Sequence, residues 1–275
     1  MEAAKLISKV NIEGNCLGGY RGRVEIRHAD RFALCLLHDH HAPVEISLEI
    51  EKISVENHLV AVGGRSGVRV VEHLFSALYG LNQFNVHIDV YGEEMPFFDG
   101  SSVDFVRALK KMNTEHVAGI RFHDNVMVND EHGSLLYTPT EGEELFVEMT
   151  LSHSYIGVQD FAMRITPDDY AREIAPARTF VFTDEDDVRL KDLPPYGIGI
   201  TSNNIYARSP LRFPDEPVRH KLLDLLGDLY VLKKPINGKI TGRNTSHQLN
   251  LSFVRKLLAA QSMSHHDGRF VRKYE

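Results

Sequence analysis

The feature that most constrains this chain is a short internal echo. Val71-Glu-His73 is followed by Leu78 and Gly80, and Val218-Arg-His220 is followed by Leu225 and Gly227. Counted from each histidine, the Leu falls at +5 and the Gly at +7, and a strand-like run comes after both segments. The order of elements around the echo repeats as well. In the first half, short apolar or alternating runs at Arg23–Ile26, Phe32–Leu37 and Val44–Ile50 read as strands. A helical period follows over Val70–Gly80, then a strand at Asn85–Val90 and a second helix over Val103–Met112 with Ser101 or Ser102 as its cap. The second half gives strands at Val126–Val128, Ser134–Thr138, Leu145–Leu151 and Phe161–Ile165, and a short helix near Pro167–Glu173. After a loop-rich stretch containing Pro194, Pro195, Gly197 and Gly199 come a helix over Val218–Leu232, a strand at Gly238–Thr241 and a closing helix over Gln248–Met263. The expectation is a duplicated α+β fold, with residues 1–115 and 120–275 as its two domains, a linker near Asn113–Gly119, and both histidines converging where the halves meet.

Composition narrows the function classes. The 275 residues fit one large domain or two ordinary ones, and 43% hydrophobic content supplies a substantial core. With 31 basic against 38 acidic residues, the net charge of -7 argues against nucleic acid or an anionic membrane as main partner. A small anion held by a few local cations is compatible with it. Cys16 and Cys35 read as reduced thiols of a cytosolic protein. The start, MEAAKLISKV, lacks a secretory apolar core, and no apolar run reaches the ~18 residues of a membrane span.

The sharpest local signal for chemistry is His220-Lys-Leu-Leu-Asp224. Positions i and i+4 share a helix face, so an imidazole and a carboxylate can grip one cation. A surface His–Asp pair is the plain alternative. His73, brought in by the echo, would complete two imidazoles and one carboxylate with an open position for water, the pattern of a catalytic zinc site. Glu72 diverges from His73 by about 100° on a helix, so it reads as a proton acceptor beside the ion rather than a ligand. His247, in Asn244-Thr-Ser-His247-Gln-Leu-Asn250, opens a helix after a strand, and Asp228, two turns beyond His220, is positioned to orient it. The His38-Asp-His40-His41 run reads as a polar loop and His265-His266 as a solvated tail. No Gly-rich phosphate loop, Gly-x-Ser-x-Gly elbow or His-Glu-x-x-His helix occurs.

Three blocks, in order, carry a family resemblance. They are Val71-Glu-His-Leu-Phe-Ser-Ala-Leu-Tyr-Gly-Leu81 continuing through Glu94-Met-Pro-Phe-Phe-Asp-Gly-Ser-Ser102; Ala177-Arg-Thr-Phe-Val-Phe182; and Val218-Arg-His-Lys-Leu-Leu-Asp-Leu-Leu-Gly-Asp-Leu229 with Ser246-His-Gln-Leu-Asn250. The chain resembles the UDP-3-O-acyl-N-acetylglucosamine deacetylases, zinc amidases of lipid A synthesis. The resemblance implies two α+β domains, each a small, mainly antiparallel sheet with a helical layer, the helices sandwiched between the two sheets. It implies one Zn2+ per chain, with Fe2+ as the alternative ion, held by His73, His220 and Asp224. It matches Glu72 to the general base, His247 to the cationic acid, Asp228 to its support and Thr179 to an oxyanion donor. Lys221 matches a lysine near the sugar-nucleotide diphosphate, and Phe180 and Phe182 match aromatics of the sugar site. A cytoplasmic monomer acting on an acylated UDP-sugar is the expected whole.

The sequence departs from the family in three segments: Gly14-Asn-Cys-Leu-Gly-Gly-Tyr-Arg-Gly22 lacks the expected His, Asn57-His58 replaces a Thr-Thr pair, and Gly199-Ile-Thr-Ser-Asn203 replaces a Gly-Gly-Ser loop. These segments are expected where substrate is recognised. A paralogue acting on another N-acyl sugar, or a non-catalytic zinc-binding homologue, therefore stands beside the leading reading.

Overall fold

A computed structural model describes residues 7–37, 42–56, 58–64, 67–112, 115–191, 193 and 195–267, with side chains as far as 261. The His38–His41 run, Asn57, residues 113–114 of the expected linker, Pro194 and the His265-His266 side chains lie outside the described residues.

The first half opens with β1 (Lys9–Asn15), β2 (Arg21–His28), β3 (Ala33–Leu37) and β4 (Val44–Glu45). Short strands β5 (Ile53–Glu56), β6 (Leu59–Val62) and β7 (Val68–Arg69) lead into α1 (Glu72–Gly80), followed by β8 (Val86–Tyr91) and α2 (Val103–Leu109). The second half repeats the plan. It runs β9 (Val126–Asn129), β10 (Ser134–Thr138), β11 (Leu145–His153), β12 (Gly157–Arg164), α3 (Pro167–Asp169) with a π-helical turn to Ile174, then β13 (Phe180–Phe182), β14 (Ile198–Ile200) and β15 (Ile205–Tyr206). It closes with α4 (Glu216–Leu229), β16 (Gly238–Arg243) and α5 (His247–Asp267).

The two large sheets share one topology. In β1-β2-β8-β3-β4 every neighbour is antiparallel except β8 and β3; in β9-β10-β16-β11-β12 every neighbour is antiparallel except β16 and β11. Each half also carries a small three-stranded sheet, β5-β6-β7 or β13-β14-β15, between its fourth strand and its first long helix. Such correspondence in order, direction and insertion point is that of a duplicated unit. Alternation drives the sheets: β1 buries Val10 and Ile12, β3 buries Leu34 and Leu36, and β8 buries Val86, Ile88 and Val90 against one continuous core.

The helices fill the space between the sheets, with α1 against α4 at the centre. Gly227 of the echo is the reason they come so close. A Cβ on Gly227 would stand 2.3 Å from the Glu72 carbonyl oxygen, and one on Gly80 would stand 2.2 Å from the Tyr170 ring. Tyr230 of the second half stacks on Phe84 at 5.0 Å and donates to the Gln83 carbonyl at 2.8 Å.

Several boundaries differ from those expected. Of the Val44–Ile50 strand only Val44–Glu45 pairs; Ile46, Leu48 and Ile50 still bury, but the chain has left the sheet edge. Ser102 stands at the cap position of α2, yet its hydroxyl donates to the His73 carbonyl at 2.8 Å. Helix α1 ends at Gly80 without a left-handed glycine, and Asn82 takes the positive φ of 55°. The stretches around 53–69 and 180–206 carry paired strands of two to four residues, too short to show a period.

Candidate active site

Helix α1 begins where the chain turns sharply out of β7. Val70 takes φ 63°, a strained value for a β-branched residue, and its N–H and that of Val71 both donate to the Val60 carbonyl. That turn sets the first helical residue, Glu72, facing inward, where its Oε2 accepts from the Val60 N–H at 3.2 Å. His73 follows, fully buried, with its backbone held by Ser102 and its ring 5.1 Å from that of Phe97. The β1–β2 hairpin supports Phe97, since the Asn15 carbonyl accepts from the N–H groups of both Phe97 and Phe98.

Helix α4 supplies the facing side. Glu216 opens it with Pro217 in the first turn, where the missing N–H is not needed. The Glu216 carboxylate is completely buried and accepts from the Arg178 backbone N–H and guanidinium, while Arg178 also donates to Ser209 and Pro210. This clamp fixes the chain just before Thr179. The Thr179 N–H donates to the Gly100 carbonyl at 2.7 Å, and a Cβ on Gly100 (φ 80°) would stand 2.6 Å from the Thr179 methyl.

One turn apart on α4, His220 and Asp224 face His73. His220 Nδ1 donates to the Ala177 carbonyl at 3.1 Å, which leaves Nε2 as a lone-pair donor 3.2 Å from Asp224 Oδ1. The His73 and His220 rings lie 5.3 Å apart, edge to face, and one ligand atom from each of His73, His220 and Asp224 falls within 4.8 Å of the others. Buried His73 Nδ1 has no hydrogen-bond partner. Three converging donors and an orphaned imidazole nitrogen fit a divalent metal ion better than a closed hydrogen-bond network.

His247 is the first residue of α5, an end of a helix that disfavours a cation. Its Nδ1 nevertheless meets Asp228 Oδ2 at 2.7 Å, Asn250 Nδ2 donates to the same oxygen at 2.8 Å, and Nε2 lies 3.8 Å from Asp224 Oδ1. Burial works to lower its pKa, but Asp228 and Asp224 outweigh burial and raise it to about 9. Burial pushes Glu72 up to about 7, with the His247 charge opposing. Burial, together with neighbouring His220, lowers His73 to about 3, so it stands neutral and ready to ligate. Against its burial, His220, Lys221 and His247 hold Asp224 well below the usual carboxylate range.

Glu72, His73, His220, Asp224 and His247 line one cleft of about 350 Å3, together with Thr179, Phe180, Phe182 and Lys221. Asp228 lies behind His247. Lys221 Nζ sits 3.1 Å from Asp224 Oδ2 and 5.5 Å from the Phe180 ring centre. Phe182 stacks on His153 at 3.7 Å. Among the described residues of the three altered segments, His58 alone lines the cleft. The 14–22 hairpin instead closes on Glu94, which accepts from the Leu17 and Gly18 N–H groups and from Tyr20. In the 199–203 segment, Thr201 and Asn203 bond to Glu185. Sequence reasoning missed Phe97 and the Arg178–Glu216 clamp; a buried ion pair 38 residues apart leaves no periodic trace. Asn250 had a visible signal, since it stands one turn from His247.

Comparison with known proteins places the chain in a family. Residues 6–259 match the family model described as UDP-3-O-acyl N-acetylglycosamine deacetylase. A UDP-3-O-acyl-N-acetylglucosamine deacetylase of Myxococcus xanthus (strain DK1622) is 34% identical over 80% of this chain and 74% of its own length. One of Geotalea uraniireducens (strain Rf4) is 29% identical over 79% and 74%, and one of Coxiella burnetii (strain CbuK_Q154) is 31% identical over 71% and 68%.

Proposed function

The chain belongs to the UDP-3-O-acyl N-acetylglycosamine deacetylase family, and from that premise we propose that it is a zinc-dependent amidohydrolase removing acetate from UDP-3-O-(3-hydroxyacyl)-N-acetylglucosamine in lipid A biosynthesis. The observation that carries the reading is the convergence of His73, His220 and Asp224 on one point of a cleft that Glu72 and His247 also line. His73, His220 and Asp224 hold the ion, with Zn2+ preferred for two nitrogens and one carboxylate. When bound, zinc would polarise the amide carbonyl and lower the pKa of water towards ~7.

The remaining steps belong to the chain's own groups. Glu72 removes a proton from the attacking water, a role its elevated pKa near 7 suits. The Thr179 hydroxyl and the His247 imidazolium stabilise the charge developing on the carbonyl oxygen, donors that contribute about 3–4 kcal/mol each in other enzymes. His247 then gives its proton to the departing amine as the C–N bond breaks, leaving acetate. Asp228 keeps the His247 ring oriented and charged. Phe180 and Phe182 flank the sugar, and Lys221 pairs with the diphosphate. We further assign residues 1–115 and 120–275 as domains of a cytoplasmic monomer; no described helix is long and apolar enough to cross a membrane.

His58 in the cleft wall favours a second reading, a deacetylase of another N-acyl sugar. Acetate release from UDP-3-O-(3-hydroxyacyl)-N-acetylglucosamine by zinc-loaded protein, over several acyl lengths and with Glu72→Ala as control, separates the two. Release that vanishes in the control is expected. A protein that binds one zinc yet releases no acetate at any length would sink the first reading in favour of the second.

A further inference from the structure

The outward face of the N-terminal sheet carries a second group of metal-ligating side chains. Strands β3 and β8 run parallel and in register, with Ala33 opposite His87 and Cys35 opposite Asp89. Alternation sends Leu34, Leu36, Val86, Ile88 and Val90 into the core, so Cys35, His87 and Asp89 share the other face, each half-buried. One ligand atom from each of the three falls within 4.8 Å of the others, as it does for the cleft triad. His87 Nε2 stands 2.9 Å from Asp89 Oδ1, a counterpart of the 3.2 Å between His220 Nε2 and Asp224 Oδ1.

The surroundings favour a cation. Glu45 is paired with Cys35 across β3 and β4, and Glu25 with Asp89 across β2 and β8, so thiol and three carboxylates form one row across the sheet. Cys35 is raised above the usual thiol range by burial and then by Asp89 and Glu45, against Arg27, the field a positive ion would relieve. Two cations already face this row. Lys9 bonds Glu25 at 3.2 Å, and Arg27 bonds Asp89 through Oδ2, which leaves Oδ1 turned to His87.

We propose that Cys35, His87 and Asp89 form a second, surface metal site for a borderline-soft divalent ion such as Zn2+ or Co2+, with Glu45 as the neighbouring carboxylate able to complete it. Zinc takes thiolate sulfur at ~2.3 Å and imidazole nitrogen or carboxylate oxygen at ~2.0–2.2 Å, so tetrahedral donors sit about 3.4–3.6 Å apart. Reaching that spacing opens the 2.9 Å contact between His87 and Asp89 by side-chain rotation on strands that hold the three residues side by side. Cys35 releases its proton to solvent as the ion binds, so uptake strengthens as pH rises. An ion here would tie β3 to β8, and through Glu45 to β4, at the open edge of the sheet.

Cobalt distinguishes the two sites, because the cleft offers two imidazoles and a carboxylate but no thiol. Chelator-stripped full-length protein is titrated with Co2+ and followed in the near ultraviolet, where thiolate-to-cobalt charge transfer absorbs. The expected result is such a band growing with a cobalt equivalent separate from the one that restores deacetylase activity. The band and that equivalent disappear in Cys35→Ser and in His87→Ala, while activity of both variants stays at the parent level. A second readout is alkylation of Cys35, expected to slow on adding Zn2+ in the parent but not in His87→Ala. No thiolate band, or a band that survives Cys35→Ser and is lost in Cys16→Ser, would overturn the proposal. So would unchanged alkylation with a normal metal content in the cleft. Inactivity of the cobalt-loaded parent with the band intact would count against the deacetylase reading and leave this site standing.

Discussion

Glu72 and His247 have pKa values near 7 and 9, and their assigned roles need the first deprotonated and the second protonated. Below about 7 the base is neutral; above about 9 the acid has lost its proton. The kcat/KM profile is therefore expected to be a bell, flat between about 7 and 9, measured by initial rates over a wide pH range. Glu72→Gln should remove the acidic limb along with most of the rate. An acidic limb unchanged in that variant would remove the assignment. Lys221 poses a different residue-scale question, since its ammonium rests 3.1 Å from the Asp224 carboxylate rather than in open solvent. Lys221→Ala is expected to raise KM for the UDP-linked substrate more than for the same sugar without its nucleotide. Equal changes would show that the lysine serves Asp224 and not a diphosphate.

At the scale of elements, the spacing of α1 and α4 decides whether the donors meet. Gly227 has no Cβ, and the Glu72 carbonyl occupies the place where one would stand. Helix propensity alone favours Gly227→Ala by about 1 kcal/mol. The clash is with backbone, which cannot rotate away, and overpacking of this kind costs ~1–3 kcal/mol or more. The clash wins, so the variant is expected to unfold at lower urea and to bind metal more weakly, because His73 and His220 are pushed apart. A variant as stable as the parent with full metal content would show that the helices separate freely. The same contact explains the second glycine of the echo, and the first makes room for the Tyr170 ring. Leu at +5 and Gly at +7 were legible as a repeat, and their meaning, an apolar anchor and a close crossing, came only from the packed pair.

For the whole molecule, the donor set joins the halves: His73 comes from the first, His220 and Asp224 from the second. An ion held there stabilises the folded chain by mass action, about 4 kcal/mol at a thousandfold excess over Kd. For a chain of this size that corresponds to a fall in Tm on the order of 10 °C when the metal is stripped. Calorimetry before and after chelation measures it. An unchanged Tm, with metal removal verified, would mean that the ion does not bridge the halves.

The sequence by itself determined the repeated order of elements, the i and i+4 His–Asp pair of α4, and the α+β class, because these rest on local period and on side-chain chemistry. Tertiary structure decided the rest. The short strands at 53–69 and 180–206 exist only through pairing with one another, since two to four residues carry no period of their own. Val70 accepts a positive φ because Val60 bonds the turn it makes. Arg178 and Glu216 are charged residues that composition assigns to the surface, yet they are buried because each satisfies the other. Among the altered segments, only the folded chain separates His58, which touches the cleft, from a hairpin that supports it through Phe97. Distance along the chain carries no information about such contacts, and closing the two sheets over one helical layer creates them.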